Sequence, residues 1–268
     1  MSQCGIIRVQ AAVRSCWVQV PFIVCTVIIS TTPGEAWPLL LAANRDERLD
    51  RPWELPGRYW PEHPNALGPR DVPGGGTWLA ISDSGVVAAV LNRVGSLGPA
   101  PGKRSRGELP LLAVAEATAE AAAYAVAATD ADRYRSYNMI IADRDRAYYL
   151  CGLGYGHPEI TPLEPGLHMV ATAGPDDMTI PRISRHLPRF QTAMRPVPPD
   201  WGSWTGLLAD RSLPAGSELN IPPRSGFGTS NASLIGLPAD RGGVANWMFA
   251  AGPPDRTPFE SFSLAKAG

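Results

Sequence analysis

The thiol of Cys25 stands near the start of an apolar, β-rich run, Val24 to Ser30, and nineteen to twenty-two residues further on come Asn44, Arg45, Asp46 and Glu47. A thiol facing a guanidinium and two carboxylates is a setting in which a thiolate can be stabilised and a substrate oriented. The spacing suits two short strands joined by the turn signal Thr32-Pro33-Gly34, so that the second strand brings the polar tetrad back to Cys25. Each residue also has a plainer reading. A free cysteine in a strand is usually a small buried hydrophobe, and Arg45 and Asp46 could form a salt bridge at a strand end beside Arg48 and Asp50. The wholly apolar Leu39 to Ala43 leading into the tetrad argues against a solvated face. Asn92, which ends an apolar strand after Gly85, is a candidate oxyanion donor, because a neutral carboxamide can meet developing negative charge without a competing proton transfer. A hydrogen-bonded strand cap is its alternative role.

Cys25-Thr26-Val27, Ala43-Asn44-Arg45-Asp46-Glu47, Gly75-Gly76-Thr77-Trp78-Leu79 and Val90-Leu91-Asn92-Arg93 together resemble the NRDE family, also called the transport and Golgi organisation family. Arg106-Gly107-Glu108-Leu109-Pro110 and Gly166-Leu167-His168-Met169 extend the likeness, which runs from Cys25 to about Gly252. The resemblance implies an α+β fold of the N-terminal-nucleophile hydrolase type, a four-layer αββα sandwich whose relatives cleave linear amides. It also implies a chain that begins at the cysteine, whose own α-amine, with a pKa of about 7.7 to 8, takes the thiol proton. By analogy with cysteine amide hydrolases, Arg45 holds the thiolate or the substrate and Asp46 orients the α-amine, an assignment that leaves exchange of the two roles open. Asn44, Glu47, Trp78 and Arg93 are the expected substrate contacts. The family also holds members linked to haem movement and lipid homeostasis, so the alternative is a non-catalytic carrier of an apolar or haem-like ligand, with Trp78 and Leu91 in its wall. One departure weakens the enzymatic reading. Where relatives place a Ser-Asn pair after the Gly-Leu-His stretch, this chain has Thr172-Ala173.

Composition fits a soluble, cytoplasmic protein. With 44% hydrophobic residues among 268, the chain can fill a sizeable core, and 25–268 reads as one domain. A net charge of -1 leaves no electrostatic footprint for nucleic acid, and no run of like charge exceeds a few residues. The four cysteines show no paired spacing, and none of the four histidines has a second ligand at metal-binding distance along the chain, so no metal and no resident cofactor are expected. His63, His157 and His186 read as surface or packing residues and His168 as a satisfied core histidine. Residues 1–24 carry Arg8 and Arg14 before an apolar stretch, but Gln19 and Pro21 interrupt it and no small-x-small cleavage site follows, and it is too short to span a membrane. The segment reads as a propeptide or, preferably, as an upstream extension, since Val24 stands where the family has its initiator methionine.

The elements that must carry these residues follow from local pattern. Thr77 to Ser82 and Val86 to Asn92 form a hairpin about Asp83-Ser84-Gly85, and Asn138 to Ala142 with Arg146 to Cys151 form another. A long helix is predicted over Leu111 to Ala128, and others over Pro181 to Thr192 and Trp201 to Asp210. Gly228 to Leu237 pairs with Trp247 to Ala251. Gly152-Leu153-Gly154-Tyr155-Gly156 has no following helix and is not a dinucleotide site, and Gly102-Lys103-Arg104-Ser105 lacks the rest of a P-loop. Gly74-Gly75-Gly76 is expected to let the chain turn closely beside the active strand, and Asn231-Ala232-Ser233 reads as an idle glycosylation sequon.

Overall fold

A computed structural model describes residues 25–212 and 214–262. The upstream segment 1–24, read above as an extension or propeptide, lies outside the described residues. Thirteen strands among them form two antiparallel sheets. The first sheet takes β1 (Thr26–Thr31), β2 (Leu39–Arg48), β10 (Gly166–Val170), β11 (Phe227–Leu237), β12 (Asn246–Ala250) and β13 (Glu260–Phe262), in the order β10-β1-β2-β11-β12-β13. The second runs in sequence order through β3 (Trp53–Gly57), β4 (Ala66–Asp71), β5 (Leu79–Ser82), β6 (Val87–Asn92), β7 (Tyr137–Ala142), β8 (Ala147–Gly152) and β9 (Glu159–Leu163).

Alternation along the strands builds the layers, because successive side chains point to opposite faces of a sheet. Val27, Ile29, Leu39 and Leu41 meet Leu79, Ile81, Val87, Ala89 and Ile140 between the two sheets. Their neighbours of opposite parity, Ile28, Leu40, Ala42 and Leu234, are covered by α3 (Pro181–Thr192) and α4 (Ser203–Leu208) through Ile183, Leu187, Phe190 and Trp204. On the far side, Ala80, Ala88, Met139 and Ile141 lie beneath α1 (Glu108–Val114) and α2 (Ala119–Ala127). The order is helices, sheet, sheet, helices, as the resemblance implied. With both faces covered, all six residues of β1 are buried, which is why the strand shows no apolar–polar alternation, its apolar Val27, Ile28 and Ile29 standing in a row.

The predicted helix over Leu111 to Ala128 is in fact two. Thr118 caps α2 by accepting from the Ala121 amide, and the Asp143 carboxylate accepts from the Ala119 amide, so a second N-terminus forms inside the alanine-rich stretch. The third helix is shorter than Trp201 to Asp210, whereas α3 has the expected bounds, with Pro181 in its first turn. β3 and β4 arise in a proline-rich stretch that reads as loop; Pro56 is tolerated there because β3 is an edge strand with a register shift between Glu54 and Gly57. Of the two roles expected for His186, surface or packing, it takes packing: on the inner face of α3 it is wholly buried, its Nε2 donating to the Ser217 carbonyl at 2.8 Å while its Nδ1 accepts from Arg189 at 3.0 Å.

Candidate functional site

Antiparallel pairing of β1 with β2 sets Thr26 opposite Asn44 and so returns the tetrad to Cys25. The Cys25 thiol lies 3.7 Å from the Asp46 carbonyl oxygen. Strand parity then divides the tetrad. Arg45 and Glu47 share the inner face with Leu39 and Leu41, whereas Asn44 and Asp46 share the outer face with Leu40 and Ala42. The Arg45 guanidinium stacks 4.0 Å above the Trp78 ring, donates to Ser230 Oγ at 3.3 Å, and lies 3.9 Å from Glu47 and 3.6 Å from Asp71. Asp71 is clamped in turn by both nitrogens of Arg51, at 2.6 and 2.7 Å.

Asp46 and Asn44 do different work from that expected of them. Asp46 is fully buried; its carboxylate accepts from Arg182 at 2.9 Å and from the Thr229 hydroxyl at 2.6 Å. Arg182 also donates to Thr26 Oγ1 at 2.7 Å, so Asp46 fixes the residue next to Cys25 through a guanidinium bridge from α3. The Asn44 amide donates to the carbonyls of Leu208 and Leu219 at 2.9 Å each, tying β2 to the outer layer. Arg93 is not brought to Cys25. It donates to Asn138 and Tyr149 in a separate polar cluster, and Asn138 in turn holds the carbonyls of Ala171 and Ala173. His168 pairs with Asp176 at 2.6 Å, also away from the thiol.

An asparagine of a late strand, β11, reaches the neighbourhood of Cys25. That strand lies beside β2 and sets Asn231 opposite Arg45 and Ser233 opposite Ala43. Asn231, Ser233, Cys25, Trp78 and Leu91 line one narrow slot between the sheets, about 20 Å³ in volume, room for a single water. Asn231 donates to Ser230 Oγ at 3.1 Å, and the Ser233 hydroxyl is buried without a partner among the described residues. A Ser-Asn pair is therefore present as Ser230-Asn231, on a strand far in sequence from Thr172-Ala173. The signal for it is parity: in Gly228 to Leu237, Asn231 and Ser233 occupy the same face as Ile235 and Leu237, and polar side chains facing a dry core ask for a reason.

The slot opens into a cleft of about 380 Å³ lined by Cys25, Arg45, Glu47, Trp78 and Asn92, among others. Asn92 has no side-chain hydrogen bond among the described residues, which leaves its amide able to donate into the cleft. One wall is the segment Gly74 to Gly76, where a Cβ on Gly76 would stand 2.3 Å from the backbone of Gly107; the close turn expected of these glycines seats the start of α1 beside the site. Electrostatics at the sulfur differ from the expected stabilised thiolate. Burial, helped by the Asp46 charge, pushes the Cys25 thiol up to about 11 against the opposing pull of a backbone hydrogen bond at Asp46 and of Arg45. Among the described residues no group of three or more His, Cys, Asp or Glu side chains is placed to hold a metal ion, and no helix is long and apolar enough to cross a membrane.

In structure the chain is similar to a Caenorhabditis elegans N-acylethanolamine-hydrolyzing acid amidase ortholog, with a TM-score of 0.57 at 13% identity over 90% of this chain and 100% of that one. It is also similar to a variant of the conjugated bile acid hydrolase of Clostridium perfringens, with a TM-score of 0.50 at 11% identity over 91% and 98%. At such identities the likeness establishes the N-terminal-nucleophile hydrolase fold. In sequence it is 32% identical over 144 residues to the Transport and Golgi organization 2 homolog of Mus musculus, covering 52% of this chain and 51% of the relative. It is equally 32% identical over 146 residues to the Homo sapiens homolog, again over 52% and 51%. The chain thus spans about half the length of the curated relatives it matches. The family model for Transport and Golgi organisation 2 matches residues 24–200, from the cysteine strand through α3 and stopping short of β11. With that match over well over half its length, the chain belongs to the Transport and Golgi organisation 2 family.

Proposed function

We infer that this chain, when it begins at Cys25, hydrolyses a non-peptide amide C–N bond of a small molecule. The observation that carries this reading is the convergence of Cys25, Arg45 and Asn231 in the slot, with Cys25 and Arg45 also facing the cleft. The free α-amine of Cys25 takes the thiol proton, and Sγ adds to the amide carbonyl. Negative charge develops on the carbonyl oxygen, for which the Asn231 and Asn92 amides are the available donors. The C–N bond then breaks as the ammonium returns its proton to the leaving amine, and water cleaves the resulting thioester to restore the thiol. A base is needed because a thiol held near 11 supplies almost no thiolate at neutral pH. Asp46 serves as a positioning residue, acting on Cys25 through Arg182 and Thr26. The fold of the amidases described above supports the same reading without establishing it.

A second reading rests on that same protonated thiol. While Cys25 remains peptide-bonded to Val24 it has no α-amine, and the cleft would then serve to carry an apolar or haem-like ligand against Trp78. The two are separated by screening small acyl amides and lactones against chains beginning at Cys25, run beside a haem titration. Hydrolysis abolished by Cys25→Ser and lowered about 100-fold or more by Asn231→Ala supports the enzyme. Tight haem binding with no turnover of any amide sinks it.

A further inference from the structure

The cleft beside Cys25 is strongly cationic in a chain whose net charge is -1. Six of its lining side chains are basic and two acidic. The acidic pair is already engaged: Asp71 is gripped by Arg51 and faces Arg45, and Glu47 lies beside Arg45. Arg104 pairs with Glu108. That leaves Lys103, Arg106 and Arg135, whose hydrogen bonds among the described residues go only to hydroxyl and carbonyl oxygens. Lys103 donates to the Asp132 carbonyl, and Arg135 to the carbonyls of Gly95 and Leu97. Arg106 donates to Ser96 Oγ at 2.9 Å and to the Ser136 carbonyl at 3.0 Å, both from the same nitrogen.

Arg106 is the anomaly. Burial and the neighbouring charge of Arg135 depress its guanidinium to about 10, and a mostly buried cation beside a second cation is costly unless an anion completes it. The backbone holds it there: the Gly107 carbonyl accepts from the Thr77 amide at 2.9 Å, and Gly76 packs against Gly107, so the loop is docked on the segment that carries Trp78. An arginine fork with spare donors matches carboxylate or phosphate oxygens. On the opposite side of Cys25 the slot is narrow and mostly apolar, so charge is accommodated only on the cleft side.

We propose that the cleft selects amides that carry an anionic group, a carboxylate or a phosphate, held by Arg106 with Arg135 and Lys103. This names a substrate class for the hydrolysis inferred above and rests on that reading for the chemistry, but not for the binding. Binding is measured with the full chain carrying Cys25→Ser, by calorimetric titration with three probes: N-butyrylglycine, N-butyrylethanolamine and its phosphate monoester. The charged probes are expected to bind at least tenfold more tightly than the neutral one, and the stronger of the two identifies the anion. Arg106→Gln should weaken the charged probes about tenfold or more and leave the neutral one unchanged, as expected for losing a charge-assisted hydrogen bond. Lys103→Gln, at an exposed position where folding is safe, should weaken them by a smaller factor, and added salt should do the same. Equal binding of all three probes, no binding of any, or charged-probe affinity indifferent to both substitutions overturns the proposal. Turnover by chains beginning at Cys25 is read separately. Charge-selective binding without turnover refutes hydrolysis alone, and turnover without charge preference refutes the anion site alone.

Discussion

The Cys25 sulfur is subject to opposing pulls, and their balance can be measured. Burial and the Asp46 charge hold the proton on; Arg45 and a backbone hydrogen bond at Asp46 favour its loss. In the full chain, iodoacetamide should label Cys25 slowly at neutral pH, with a rate that climbs toward pH 11. Arg45→Met should slow labelling further at each pH below that, since the substitution removes a favourable charge. Fast labelling at pH 7, or a variant that labels faster, would show the balance to be otherwise. At this scale the sequence was informative about which residues meet and poor on what they do there. Cys25, Arg45 and Glu47 come together as the spacing predicts, with Trp78, expected from the resemblance, beside them. Asn44 and Asp46 fall on the opposite face of the same strand, because adjacent strand residues cannot share a face, and a four-letter motif does not show that division. Asn231 was hidden for the converse reason: its partner is set by strand order, and nothing local announces that β11 lies beside β2.

Elements are held in register by a few buried polar links, and these should be fragile in specific ways. Asp46 joins β2 to α3 through Arg182 and to β11 through Thr229. Asp46→Ala should destabilise the protein by about 3–5 kcal/mol, since it leaves a buried guanidinium without its carboxylate, and Asp46→Ala with Arg182→Met should recover part of that loss. Urea titration of the single and double variants tests both statements. On the buried face of α3, His186 must be neutral, because its Nδ1 accepts from Arg189; burial depresses it from 6.5 to about 4, with Arg189 and Arg185 adding to the effect and Asp210 and the Ser217 carbonyl opposing it. Its contribution is present above about pH 6.5 and is lost as pH falls through about 4, because the unfolded chain takes up the proton first. His186→Gln should therefore remove on the order of 2 kcal/mol of acid sensitivity between pH 7 and pH 4, and identical pH profiles for the two proteins would refute this. Hairpins closed by four-residue connections, such as β5–β6 and β7–β8, were legible from pattern alone. The α1–α2 break was not, since it depends on Asp143, a residue distant in sequence, reaching the Ala119 amide.

At the scale of the molecule, the proposed chemistry hangs on one peptide bond. Intact mass of protein expressed from its native start should correspond to a chain beginning at Cys25, and a preparation that keeps residues 1–24 should hydrolyse nothing, its Cys25 nitrogen being an amide. Turnover by the longer chain would refute self-activation. Most of the layered architecture was readable from alternation and from the family resemblance, but the assembly of the first sheet was not. That sheet is made from both ends of the sequence: β2 and β11 are neighbours, with Arg45 opposite Asn231. During synthesis, then, the nucleophile leaves the ribosome early and waits, with the whole second sheet and both helical layers emerging before the strand that completes its surroundings. Pairings so distant form slowly and late, so a nascent or prematurely terminated chain carries an exposed cysteine strand that lacks the Asn231 donor. Such fragments should be catalytically silent, and the open edge of β2 should make them sticky to other chains until β11 arrives.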